Sequence, residues 1–369
     1  MKKILLLSFL LTTLGFAAQQ TNSVESCPAV NGFLVLTYNI TDTSTCDTKD
    51  FMSFIDKNNN IYLDNVKPDD INQYKVTHFD GKTIIIKTSE GVSSDYNKYI
   101  LYKVTKKGLK KIGEQEIIKN AVQYVLKPFV AYIYMQGTQW GAKVFDKKLK
   151  RELFGVALAD GLISKIFPNG VVVREKYDNA TGGNFITYYK KGEEVVTYAL
   201  TNMENYAVDA KCGLLYWTTD NFTNSPLTYL NKNHTVIFEN LGIDVATPFW
   251  HVVSWDGKNL YVLDMDSNVS VYKVGKQAKK LNTVFIDNFN QIIIDKSKLY
   301  FLTLSLGTKY YYFDCSKNLS KCKYQSASCD KLLYLGKGVF VLYDYGINSR
   351  TLTYLKNNKK LTVHSFQTP

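Results

Sequence analysis

Ala207-Val-Asp-Ala-Lys-Cys-Gly-Leu-Leu-Tyr-Trp-Thr-Thr-Asp-Asn221 reads as a short strand, a tight turn from Asp209 to Gly213, an apolar strand closing on Tyr216-Trp217, and a polar loop. Val253-Ser-Trp-Asp-Gly-Lys-Asn-Leu-Tyr-Val-Leu-Asp-Met-Asp266 repeats the same order of parts. Aligned on the apolar strand, eight copies fill the chain: Gly32–Asn39, Lys82–Lys87, Phe129–Tyr134, Gly170–Arg174, Gly213–Trp217, Asn259–Leu263, Lys298–Leu302 and Gly338–Tyr343. Their spacing of about 40 to 50 residues is that of propeller blades.

Each apolar strand is followed by a polar loop and a second alternating strand with a charged turn. Tyr99–Gly108, Phe185–Gly192, Pro226–Asn233, Val269–Gly275 and Thr351–Asn357 are examples. A further strand leaves the turn, as in Lys360–Phe366, and another precedes the apolar one, as in Tyr206–Asp209 and Asn290–Asp295. The alternation is that of strands, and 27 Tyr and 20 Phe against only 7 Pro favour the same class. One four-stranded unit leaves both its faces uncovered, and a ring of such units covers them. The expected fold is an all-β propeller of eight four-stranded blades, in one domain over residues 18–369. Seven blades is the alternative if the cysteine-bearing first unit only caps the ring.

Ala207-Val208-Asp209, Gly213 and Tyr216-Trp217-Thr218, with Asp220 beyond, resemble a repeat of the YWTD propellers of the low-density-lipoprotein-receptor type. Asp256-Gly257-Lys258-Asn259-Leu260-Tyr261 is similar to the same turn, which NHL-type propellers share. Two of the eight repeats carry the likeness. It implies a propeller that binds other proteins.

Lys2-Lys3, the apolar run Ile4 to Phe16 and the small residues Gly15 and Ala17 form a secretory signal peptide over residues 1–17, cut after Ala17 or Ala18. No later apolar run is long enough to span a bilayer as a helix. The expected location is secreted and extracellular, or periplasmic in a bacterium. Six cysteines suit that compartment. Cys315 and Cys322 bracket a hairpin and are placed to bridge its base, and Cys27 and Cys46 are placed to tie down the first repeat. Cys212 and Cys329 remain, with their pairing open.

The formal net charge is +12, of which Lys2 and Lys3 supply two. In a four-stranded blade the turns after the first and third strands share one face, and the remaining connections share the other. The third-strand turns carry Lys106, Lys107, Lys110, Lys111, Lys147, Lys148, Lys150, Arg151, Lys190, Lys191, Lys276, Lys279, Lys280, Lys356, Lys359 and Lys360. These define a candidate basic face for an acidic protein, an acidic polysaccharide or a cell surface; lysine at hairpin tips also blocks edge pairing. Nucleic acid is excluded by the compartment and by the lack of aromatics between these lysines. Asn-x-Ser/Thr sequons at Asn39, Asn179, Asn221, Asn233, Asn268 and Asn318 are candidate glycosylation sites. Four of them, Asn39, Asn179, Asn221 and Asn268, follow the central strands, toward the opposite face.

No serine elbow, HExxH or glycine-rich phosphate loop is present, and Thr181-Gly182-Gly183-Asn184 reads as a hairpin loop. No catalytic residue and no cofactor is assigned. The enzymatic alternative is a lactonase- or esterase-like hydrolase with a metal, calcium, in the central channel. It would draw on Asp80, Asp209, Asp256 and Asp295, which also read as turn caps, and on His78 and His251 of the inner strands. A third alternative is a small-ligand scavenger using Trp140, Trp217, Trp250 and Trp255, which also read as packing between blades.

Overall fold

The computed structural model describes residues 19–28, 33–42, 45, 48–56, 60–126, 128–201, 204–218, 227–238, 250–255, 258–264, 266–274, 279–286, 289–295, 298–304, 310–325, 329–336, 338–345, 349–356 and 359–367. The leader predicted over residues 1–17 lies outside them.

Every described element is a strand or a turn, and the strands form eight four-stranded antiparallel sheets, each made of four consecutive strands. Blade 1 is Gln19–Pro28 (β1), Phe33–Asp42 (β2), Thr48–Asp56 (β3) and Ile61–Val66 (β4). Blade 2 is Lys75–Phe79 (β5), Thr83–Thr88 (β6), Tyr96–Thr105 (β7) and Gly108–Ile118 (β8). Blade 3 is Val122–Leu126 (β9), Phe129–Gln136 (β10), Gln139–Asp146 (β11) and Glu152–Ala159 (β12). Blade 4 is Leu162–Ile166 (β13), Val171–Asp178 (β14), Gly183–Lys190 (β15) and Glu193–Leu200 (β16). Blade 5 is Glu204–Val208 (β17), Leu214–Thr218 (β18), Leu227–Leu230 (β19) and Val236–Phe238 (β20). Blade 6 is Trp250–Trp255 (β21), Asn259–Asp264 (β22), Asn268–Lys273 (β23) and Lys279–Phe285 (β24). Blade 7 is Phe289–Asp295 (β25), Lys298–Leu304 (β26), Tyr310–Ser316 (β27) and Cys322–Gln325 (β28). Blade 8 is Lys331–Gly336 (β29), Val339–Tyr345 (β30), Ser349–Lys356 (β31) and Lys359–Gln367 (β32).

The second strands explain how the sheets pack. A strand sends alternate side chains to opposite faces, so a strand covered on both faces reads as an unbroken apolar run. Ile84 and Ile86 of β6 pack into the cluster shared with blade 1, alongside Val35, Met52 and Phe54. Ile85, between them, packs toward blade 3, with Val130 and Tyr132. The same split recurs in β10, where Ala131 and Ile133 meet blade 4 while Val130 and Tyr132 meet blade 2. In β26, Leu299 and Phe301 face blade 6, and Tyr300 and Leu302 face blade 8. Among the described residues, seven such clusters join the eight sheets in chain order.

Aromatic rings fill several of these junctions. Phe54 meets Phe79 edge-on at 5.3 Å between blades 1 and 2, Tyr229 meets Trp255 at 5.9 Å between blades 5 and 6, and Tyr312 stacks on Phe340 at 4.2 Å between blades 7 and 8. The 3–4 junction is held differently. The β11–β12 ladder slips between Trp140 and Ala142, which leaves Ala157 outside its register. Arg174, buried in β14, donates to the carbonyls of Ala157 and Trp140 and lies over the Tyr189 ring. A guanidinium of the next blade thus satisfies the carbonyls of the bulge.

First strands meet first strands at β1 with β5 and at β17 with β21, as expected of the strands nearest the axis. The fourth strands are outermost and only partly covered, as in β12 and β24. Lysines and glutamates there protect the open edge.

Candidate functional site: the face of hairpin turns

The meander order gathers the turns that follow first and third strands on one face. Fifteen of the sixteen basic residues predicted there are described, and all fifteen are exposed; Lys276 lies outside the described residues. Lys106 and Lys107 sit in the β7–β8 turn, with Lys110 and Lys111 just inside β8. Lys147, Lys148, Lys150 and Arg151 form the β11–β12 turn. Lys190 and Lys191 stand at the β15–β16 turn, Lys279 and Lys280 open β24, Lys356 closes β31, and Lys359 and Lys360 open β32.

Three cations escaped the sequence reading. Lys232 lies in the β19–β20 turn, and Lys317 and Lys321 in the β27–β28 turn. They occur singly rather than in pairs, so no run of charge marked them; their position in the blade was the signal. First-strand turns add exposed Lys82, Lys211 and Lys258 to the same face.

The turns are held by their own side chains. Asp80 Oδ1 accepts the amides of Lys82 and Thr83 at 2.9 and 2.7 Å. Asp146 Oδ1 accepts those of Lys150 and Arg151 at 2.8 and 3.4 Å. Asn231 Oδ1 accepts Asn233 and Thr235 at 2.9 and 3.0 Å. Leu149, Lys191, His234 and Leu319 take positive φ of 53–58° at these tips, the left-handed step that closes a tight hairpin. Asp80 and Asp146 therefore serve backbone amides, whereas Glu114, Glu152 and Asp314 pair with lysines. Of the fifteen described cations only Lys111 has an ion-pair partner among the described residues, Glu114 at 2.9 Å.

Asp209 shows the turn in its most buried form. Its Oδ1 accepts the amides of Lys211 and Gly213 at 2.7 and 2.9 Å, and its Oδ2 accepts the Tyr229 hydroxyl at 2.6 Å. From blade 4, Tyr188 donates to the Gly213 carbonyl at 2.6 Å and Tyr198 to the Cys212 carbonyl at 2.8 Å. Burial pushes the phenols of Tyr198 and Tyr229 well above their usual value of 10. The motif behind the YWTD-like resemblance is a structural knot between blades 4 and 5.

The opposite face differs in charge. Its connections carry exposed Asp69, Asp70, Asp95, Asp160, Asp266 and Asp330, against exposed Lys67 and Lys119.

The inner strands place His78 on β5 and His251 on β21. Burial of His78 lowers its imidazole pKa below 6.5, partly opposed by Asp80. Asp80 and Asp209 act as turn caps, Asp256 lies outside the described residues, and Asp295 ends β25. Among the described residues no three His, Cys, Asp or Glu side chains gather into a metal-holding group. Trp217 packs between blades 5 and 6 with Leu260 and Val262, Trp255 borders the same cluster, and Trp140 borders the one between blades 3 and 4. Trp250 opens β21.

Cys315 and Cys322 are bonded across the β27–β28 hairpin, as expected. Cys212 and Cys329 are both buried and lie outside the Cys315–Cys322 bridge. Cys212 lies in a first-strand turn on the basic face and Cys329 precedes β29 on the other, so the topology separates the two leftover thiols. Cys27 lies in β1 and Cys46 outside the described residues. Of the sequons, Asn39 lies inside β2, paired with Asp50, rather than in the loop beyond the strand, because the β2–β3 ladder runs on to Thr41. Asn179 is exposed on the acidic face, whereas Asn233 and Asn318 are exposed among the lysine turns. Asn268 donates its amide to Asp264, and Asn221 lies outside the described residues.

No family model matches the chain, and no curated protein does either. Solved structures do. The β-propeller domain of the Trilobed protease from Pyrococcus furiosus is similar over 94% of this chain and 97% of its own, with 13% identity and a TM-score of 0.50. A eukaryotic initiation factor is similar over 96% of this chain and 90% of its own, with 10% identity and a TM-score of 0.50. At such identities the likeness is one of fold: the chain is a β-propeller.

Proposed function

We propose that this protein is an exported interaction platform that binds acidic partners through its face of lysine hairpin turns. One observation carries the reading: the meander collects exposed cations from successive blades on one face, and of the fifteen described cations predicted there only Lys111 has an ion-pair partner among the described residues. A field of predominantly one sign attracts polyanions at range. Lysines engage such partners as mobile point charges, and salt weakens the attraction. The leader sequence and the Cys315–Cys322 bridge support export.

A channel hydrolase has less support. Asp80 and Asp209 would have to give up amide and tyrosine hydrogen bonds to take a calcium ion.

The test is retention on immobilised heparin across a salt gradient. It compares the wild-type protein with a variant carrying Lys106, Lys107, Lys110, Lys111, Lys147, Lys148, Lys150 and Arg151 as Gln. The wild type is expected to elute late and the variant early. Equal, early elution of both would reduce the lysines to protection of strand edges.

A further inference from the structure

Resting on that reading, we infer that the basic face docks flat on an anionic phospholipid bilayer, with every lysine-bearing blade contributing and the acidic face turned away. The cations form a disc rather than a track. Each blade from the second to the eighth holds an exposed lysine at its last hairpin, represented in the sparser blades by Lys232 and Lys321. Inside that outer ring stand Lys82, Lys211 and Lys258 of the first-strand turns. A linear polyanion lying across such a disc reaches only the blades beneath it, whereas a plane of headgroups reaches all of them together.

The residue type agrees. The chain holds 42 lysines and 3 arginines, and of the arginines Arg174 is buried between blades. Recognition of a fixed sulfate or phosphate favours the bidentate fork of arginine. Attraction to a diffuse anionic surface needs only point charges, each worth about fivefold in affinity near the headgroups.

The second face supplies the orientation. Asp69, Asp70, Asp95 and Asp160 lie at the far end of the axis from the lysines. The molecule is therefore an axial charge dipole that an anionic plane turns to one pose. The tips are also stiff, held by side-chain caps and by the Cys315–Cys322 bridge, so they need little ordering on contact.

The experiment is co-sedimentation with vesicles of phosphatidylcholine alone and of phosphatidylcholine mixed with phosphatidylglycerol. Two variants remove equal charge from separate arcs of the ring: Lys106, Lys107, Lys147 and Lys148 to Gln, and Lys279, Lys280, Lys356 and Lys359 to Gln. All eight positions are exposed, and unchanged thermal unfolding confirms that each variant is folded. Binding is expected only to the mixed vesicles. Each arc variant should weaken it by a similar factor, up to several hundredfold for four lysines, and arginine at the same positions should restore it. Heparin retention without vesicle binding would overturn the inference and leave the polyanion reading standing. So would vesicle binding lost in one arc variant and unchanged in the other. Binding to neither heparin nor vesicles would remove both, and equal binding to uncharged vesicles would remove the electrostatic argument.

Discussion

Asp209 illustrates how much structure one buried carboxylate can carry. It accepts two turn amides and the Tyr229 hydroxyl, and Gly213 beside it has no room for a side chain: a Cβ there would lie 2.2 Å from the Tyr229 oxygen. Asp209→Ala would orphan three donors at once. The expected loss is about 3 kcal/mol in urea unfolding, against about 1 kcal/mol for Tyr229→Phe, which removes a single bond. Similar losses from both variants would mean that the amide caps contribute nothing. His78 offers a pH test. Burial lowers its folded pKa below 6.5, so as pH falls the unfolded chain takes up this proton first. Its stabilising contribution is complete above pH 6.5 and is lost as pH falls from there toward the folded value. His78→Gln should flatten the melting-temperature profile between about pH 7 and pH 5; an unchanged slope would assign the acid sensitivity to other groups.

At the scale of elements, the second strands were legible because their chemistry is local. A run such as Ile84-Ile85-Ile86, β-branched and bounded by turn residues, fits a strand covered on both faces, and the structure divides it between two neighbours. Lysine-rich hairpins were legible for the same reason, since turn residues declare themselves without tertiary context. The β27–β28 hairpin adds a covalent clamp with a sequence separation of 7. Changing both Cys315 and Cys322 to Ser is expected to cost about 2 kcal/mol in chemical denaturation, since a short loop removes little entropy from the unfolded chain. Heparin retention should persist, because Lys317 and Lys321 are a small part of the face. Loss of retention in a folded double variant would show that this one hairpin dominates binding.

At the scale of the whole molecule, the proposed binding rests on the sorting of charge. No single lysine turn makes a site, and exposed cations contribute little to stability. Repetition of the meander turns scattered pairs of lysines into a disc and sends aspartates such as Asp95 and Asp160 to the other end. In the heparin experiment, retention should fall smoothly with salt, with a shallower dependence in the eight-site variant, as expected for many weak, screened contacts.

The order of the repeats and their strands and turns were determined by the sequence alone, and it put Cys315 and Cys322 where a bridge was expected while leaving seven or eight blades open. Each depends on residues within one blade, through alternation, turn chemistry or close spacing. What needed the tertiary structure was every relation between blades. Arg174 ends an apolar run in the sequence with no partner in sight, and it is buried because the bulge at Ala157 offers it carbonyls from the preceding blade. Cys212 and Cys329 look like a leftover pair, and the meander sends them to opposite faces. Lys232 and Lys321 look isolated until the ring sets them beside their counterparts. A propeller places residues about one repeat apart side by side, and that adjacency, absent from any local stretch of chain, decides what the faces present.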